Sequence, residues 1–219
     1  MRLLALDAAL GRCSAAVLLD GAVAAERQRE GARGEAALLP ALAGEVLAAA
    51  GLRAGTLDAV AATVGPGSFT GLRAALALAE GLCAGSGARL LGVTVAEALA
   101  EAVTLPPGRA LWVVLDSRRR DRIFLGVGDS MRALRPAELL RPSGPVALAG
   151  DAAPLAAAWL AARGADVKLT DVRLPRAADV ARVAQRRLRG EIPPLAARPL
   201  YLDPPEARLP AESRRPPPR

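Results

Sequence analysis

Two aspartates at the ends of apolar runs are the first residues whose type and place could do chemistry. Asp7 closes "RLLALD", and Asp116 closes "ALWVVLD" where it opens "DSRRRD". Paired strand-end carboxylates are what an ATP-using enzyme needs to hold Mg²⁺ and orient a phosphate. The same position suits an ordinary turn-forming aspartate, and that reading is favoured here. A glycine-rich stretch, "TVGPGSFTGLR" (residues 63–73), raises a second question. Gly65, Gly67 and Gly71 miss the dinucleotide fingerprint, because the third glycine falls four residues after the second instead of three. No Lys-Ser/Thr pair follows, so the stretch is not a P-loop. Ser68 is placed to cap a helix, which would leave the N–H groups of Phe69, Thr70 and Gly71 at its positive end, where an anion can bind. The alternative is that the glycines only allow the reversal and close packing, and spacing alone favours it.

What the composition lacks narrows the chemistry further. There is no histidine. That removes Ser-His-Asp and Cys-His catalysis, imidazole zinc sites and the commonest general base. A peptidase needs an activated nucleophile or a metal-bound water, and neither is offered. The two cysteines, Cys13 and Cys83, fit no metal spacing and are expected to be reduced thiols of a soluble, cytoplasmic protein. The net charge of +7 is carried by arginine, with Lys168 the single lysine. Its clusters are "RRRDR" (residues 118–122) and "RVAQRRLR" (residues 182–189). Apart from Phe124 nearby, no aromatic is interleaved to stack bases, so solvated faces are favoured over direct RNA binding. The apolar start is broken by Asp7 and reads as a strand, not a signal peptide. No charge-free apolar run reaches the roughly 18 residues of a membrane helix.

The elements that position these residues follow from the pattern. Residues 2–6, 13–19 and 22–27 read as an antiparallel meander, with a hairpin turn at Asp20-Gly21. A polar loop over residues 29–34 leads to a helix over 35–50, whose Pro40 demands a late start or a bend. A strand over 58–64, the glycine turn, a helix over 68–84, a strand over 90–93 and a helix over 95–103 complete a β-β-β-α-β-α-β-α order. "TLPPGR" (residues 104–109) reads as a linker. Strands over 110–115, 122–127 and 146–149, a helix over 151–163, a short strand near 167 and a helix over 176–189 resemble a degenerate copy of the first half. Two lobes are therefore expected, residues 1–105 and 106–203, with 204–219 too rich in Pro and charge to fold alone.

Aromatics are scarce, so the core must be Ala, Leu and Val, which demands close backbones. The first two helices lack a proper polar face, and a helix apolar nearly all round is normally covered on both sides. Leu39, Leu42, Ala43 and Val46 form one stripe. Arg73, Ala77 and Glu80 mark the outer face of the second helix, with Thr70 at its start. These eight residues are the expected partner interface. The bland alternative is core on one face and harmless alanine on the other.

"GPGSFTGLR" followed by "LALAEGL" and "LLGVTVAEALA" resembles the TsaB (YeaZ) family, bacterial tRNA threonylcarbamoyladenosine biosynthesis subunits often labelled glycoprotease-like. "LLALDAALGRCSAAVL", "VVLDSRRRDRIFLGV" and "RPLYLDPPEAR" are similar to that family's first hairpin, second-half opening and ending. The resemblance implies an actin/sugar-kinase/Hsp70-like α/β fold of two related βββαβαβα subdomains. It implies a non-catalytic scaffold that pairs with TsaD, the threonylcarbamoyl transferase, and with itself through the same helices. It further implies a TsaE-like ATPase in the assembly, tRNA reached indirectly, ATP and a metal held only by those partners, and no cofactor or catalytic residue here. Where TsaD carries metal-binding histidines the alignment places Val95 and Leu99, which cannot bind a metal. The family's "D-T-S/T" is Asp7-Ala8-Ala9 here, and a polar, commonly histidine-containing stretch is "GARGEA", which weakens any nucleotide site. A free-standing ATP-using enzyme or peptidase is the alternative.

Overall fold

The structure, a computed structural model, describes residues 1–31, 35–118, 121–128 and 130–202. Strands β1 (Arg2–Asp7), β2 (Arg12–Leu19) and β3 (Ala22–Glu30) form the expected meander. Asp20 and Gly21 both take positive φ, 49° and 92°, which the tight hairpin turn requires. β3 runs on past Gln28 through Arg29 and Glu30, two residues expected in the polar loop. It is an edge strand, so its ladder with β2 tolerates charged side chains that face water.

A 3₁₀ turn (Glu35–Leu38) leads into α1 (Leu39–Ala49). Pro40 therefore falls in the first turn, where its missing N–H costs nothing. β4 (Ala59–Gly65) lies parallel to β1. α2 (Phe69–Ser86) follows the glycine turn and ends on Gly87 with φ 72°. β5 (Arg89–Thr94) pairs with β4, and α3 (Val95–Ala102) starts from a capping box of Thr94 and Glu97.

The first sheet has the order β3-β2-β1-β4-β5. Alternate residues of its inner strands point to opposite faces, and both faces are covered. Leu4, Leu6, Val17 and Val60 pack under α1 and α2, whereas Leu3, Ala5, Leu18 and Ala61 pack against α5 (Ala177–Leu188).

The second half repeats the plan. β6 (Ala110–Asp116), β7 (Ile123–Val127), β8 (Ser130–Leu134), β9 (Val146–Ala149) and β10 (Val167–Leu169) form a sheet of order β10-β9-β6-β7-β8. β8 was not legible, because "SMRAL" is short, mixed in polarity and on an edge. α4 (Ala153–Ala161) packs on one face through Ala153, Ala156 and Leu160. No helix lies between β8 and β9; a 3₁₀ turn (Pro136–Glu138) and loop take the place that α1 holds in the first half.

The expected lobe division needs correction. α5 and the chain after it belong to the first lobe: Gly92 N–H donates to the Leu195 carbonyl (3.0 Å) and Leu200 N–H to the Val64 carbonyl (2.7 Å). Arg187 on α5 fixes this crossing. It donates to the carbonyls of Gly92 (2.8 Å) and Pro193 (2.7 Å) and to Glu97 (2.6 Å). Val95 and Leu99 are fully buried with Leu72, Val113, Leu115 and Phe124 in a core between the lobes. The proposed tail, residues 204–219, lies outside the described residues, as do residues 32–34 of "GARGEA".

Candidate partner face and interlobe cleft

Of the eight residues expected on a partner surface, the structure divides four from four. Leu39, Leu42, Ala43 and Val46 are 0, 2, 4 and 0 % exposed, and all belong to the core under the first sheet. This corrects the expectation. A stripe at i, i+3, i+4 and i+7 marks the face that is buried, and here the chain's own sheet buries it. The outward residues of α1 are Pro40, Ala41, Gly44, Glu45, Ala48 and Ala49. On α2, Thr70, Arg73, Ala77 and Glu80 are exposed, while Leu72, Ala75, Leu76 and Ala79 point inward. Gly81, Ala84 and Gly85 extend that outward face.

An aromatic cluster joins the same face at the start of α2. Phe69 and Tyr201 are 55 and 53 % exposed, with ring centroids 6.2 Å apart. The Arg73 guanidinium lies 3.8 Å from the Phe69 ring centre. No local pattern predicts this meeting, since Tyr201 arrives from the far end of the chain.

The glycine turn is a packing device. Ser68 Oγ accepts from Gly71 N–H (3.3 Å), the expected cap. Ser68 N–H donates to the Ala9 carbonyl (2.7 Å). A Cβ on Gly67 would run into the Ala9 carbonyl, and one on Gly71 into the Ala8 carbonyl. The first hairpin's backbone therefore presses on the positive end of α2, and its carbonyl oxygens complement that end.

Between the lobes lies a cleft of about 860 Å³, lined among others by Arg12, Cys13, Ser68, Thr70, Ser117 and Arg118. Both arginines are engaged. Arg12 donates to Glu30 (2.5 Å) and the Leu174 carbonyl (3.1 Å). Arg118 reaches Asp151 (3.4 Å) and Asp116 (3.9 Å). Asp116 Oδ1 accepts from the Arg118 N–H (2.8 Å), a turn-forming role. Asp7 accepts from Thr63 Oγ1 (2.8 Å) and Ala9 N–H (3.2 Å). The two aspartates share no hydrogen-bond partner among the described residues. Among the described residues no group of three His, Cys, Asp or Glu side chains is placed to hold a metal ion.

Asp7 is nonetheless unusual. It is fully buried, and its Oδ2 has no hydrogen-bond partner among the described residues. Burial pushes its pKa up to about 7, against smaller lowering by the Thr63 and Ala9 hydrogen bonds and by Arg12. A carboxyl whose folded pKa is raised contributes stability that is complete below its unfolded pKa, near 4, and lost as pH rises through 7. Asp7→Asn, which mimics the protonated acid, should remove this dependence. Urea unfolding at pH 4, 5.5 and 7 should show the unaltered chain losing up to about 4 kcal/mol relative to the variant across that window. Parallel curves would reject a buried titrating Asp7.

The arginine cluster of residues 182–189 is largely neutralised. Arg182 pairs with Asp179 (2.6 Å), Arg186 with Glu101 (3.3 Å), Arg187 with Glu97 (2.6 Å) and Arg189 with Glu191 (3.8 Å). That favours the solvated-face reading. Of the other cluster, residues 119–120 lie outside the described residues.

Two mixed sheets of matching strand order, joined by a shared core and a crossing helix, define an actin/sugar-kinase/Hsp70-like chain. A family model described as "TsaD: tRNA N6-adenosine threonylcarbamoyltransferase" matches residues 29–136. The chain is 34 % identical over 101 residues to the tRNA threonylcarbamoyladenosine biosynthesis protein TsaB of Escherichia coli, covering 46 % of this chain and 43 % of that protein. It is 31 % identical over 125 residues to the TsaB of Haemophilus influenzae, covering 57 % and 52 %. The aligned stretches thus span about half the length of these curated relatives or less. YeaZ from Pseudomonas aeruginosa superposes with a TM-score of 0.74 at 26 % identity, covering 92 % of this chain and 99 % of that one. The resemblance to the TsaB (YeaZ) family is borne out, and that family is named for tRNA threonylcarbamoyladenosine biosynthesis. No helix among the described residues is long and apolar enough to cross a membrane.

Proposed function

We propose that the chain is a non-catalytic subunit that pairs with a TsaD-type transferase through the outward faces of α1 and α2. In that role it supports threonylcarbamoyl transfer to tRNA. One observation carries the reading: two neighbouring helices turn Ala41, Gly44, Ala48, Ala77, Gly81 and Ala84 to solvent, beside exposed Phe69 and Tyr201. Small residues let other helices approach closely, and a stacked aromatic-arginine cluster at the rim is a suitable anchor. The same face can take a second copy of the chain. Nucleotide and metal chemistry then belongs to the partners, the transferase and a TsaE-like ATPase, and tRNA is reached through the assembly. The missing imidazoles, the buried aliphatic pair Val95 and Leu99, and the closed end of α2 all support this.

Size-exclusion chromatography with light scattering, with and without a TsaD-type subunit, tests it. The mixture should elute at the mass of a heterodimer. Ala77→Arg should keep the thermal midpoint of the unaltered chain yet weaken pairing by about 30-fold or more, the loss expected of one hot spot. Separate elution at tens of micromolar, or undiminished pairing by Ala77→Arg, would refute the proposal.

A further inference from the structure

The internal repeat leaves one place unfilled. In the first lobe α1 covers the outer ends of β2 and β3. In the second lobe no such helix follows β8, and among the described residues the loop around Leu139 and Leu140 lies over the corresponding strands β7 and β8, beside α4. The result is a pocket of about 430 Å³ over Leu125, walled by Trp112 and by Leu140, which is 70 % exposed. Among the described residues that line it, the charged ones are Arg132 and Arg141. Neither meets a carboxylate among the described residues: Arg141 donates to the Gly164 carbonyl (2.9 Å), and none of the described residues partners Arg132. The contrast with the carboxylate-matched arginines of α5 is what singles this pocket out.

We infer that the pocket receives one unpaired nucleotide of an RNA strand. Its base would lie against Trp112 and Leu140, its phosphates would meet Arg132 and Arg141, and the Ser143 hydroxyl is within the same lining for the sugar. The cavity is of a size for a base and sugar, and its charge complements a polyanion. With Trp112 and both arginines in one lining, a planar base fits better than an acidic side chain. The choice of RNA rests on the tRNA-modifying role proposed above, to which it adds a direct contact beside the route through the assembly; the site is on the second lobe, not on α1 or α2, and is tested without a partner.

Trp159→Phe leaves Trp112 as the single tryptophan of the full chain. Titration with a five-residue oligouridylate in 50 mM salt should quench Trp112 emission saturably. Raising the salt to 200 mM should weaken binding about sevenfold, as two single-strand phosphate contacts predict. Arg132→Glu, and the double variant with Arg141→Glu, should each weaken binding at least tenfold without moving the thermal midpoint. Absence of quenching, equal quenching in Arg132→Glu, or equal quenching by a hexaglutamate peptide would overturn the assignment. Any of these can coexist with intact pairing to the transferase, so the two proposals fail separately.

Discussion

Gly71→Ala should lower the thermal midpoint by roughly 6–12 °C, equivalent to about 3 kcal/mol for a chain of this size. Ordinarily a glycine inside a helix is a defect, and alanine there gains up to about 1 kcal/mol. Gly71 is helical, so its backbone conformation gives no reason for glycine. The reason is the neighbour: a Cβ would run into the Ala8 carbonyl, which is backbone and cannot swing aside as a side-chain tip would. Relief requires moving the first hairpin's loop or the whole start of α2. Either shift strains the Ser68 N–H to Ala9 hydrogen bond, beside fully buried Asp7 and Ala9. Overpacking of this kind costs about 1–3 kcal/mol and sometimes more. Gly81→Ala is the matched control on the same helix, since nothing lies within 4 Å of its added Cβ. It should leave stability equal or slightly raised. A Gly71→Ala chain as stable as Gly81→Ala would show that the turn is not a packing device.

How much of this was readable beforehand depends on whether the signal was local. The hairpin at Asp20-Gly21, the Ser68 cap and the late start forced by Pro40 are short-range chemistry, and each was legible. The capping box of Thr94 and Glu97 was equally local and went unread. The stripe of Leu39, Leu42, Ala43 and Val46 was found, but not what covers it. Periodicity tells which face is buried and is silent on whether a sheet or a partner does the burying. The exposed faces of α1 and α2 are built from Ala and Gly, which carry too little hydrophobicity to announce a contact surface. The destination of α5 was hidden for a different reason. Its buried Ala177, Val180, Ala181 and Ala184 fit either sheet, and only the three-dimensional crossing, pinned by Arg187, decides. The pocket over Leu125 was invisible because it arises from a helix that the second half lacks.

The same division between inward and outward residues yields a sharper test on α1. Leu39→Asp should abolish folding, not pairing. Leu39 is fully buried at the start of the helix, in the cluster formed with Leu42, Val46 and the first sheet. Truncating such a leucine costs about 2–5 kcal/mol through lost burial and the cavity left behind. A carboxylate adds the expense of a charge in an apolar site. The sum reaches or exceeds the roughly 5–15 kcal/mol that holds a domain together. Circular dichroism should show loss of the cooperative transition at neutral pH, or the chain should be recovered only in aggregates. Two residues along, Ala41→Arg changes a residue that faces water, so its far-ultraviolet spectrum and midpoint should match those of the unaltered chain while pairing weakens. A Leu39→Asp chain that folds normally and merely fails to pair would mean that Leu39 faces a partner, and would reverse the assignment of inside and outside on α1.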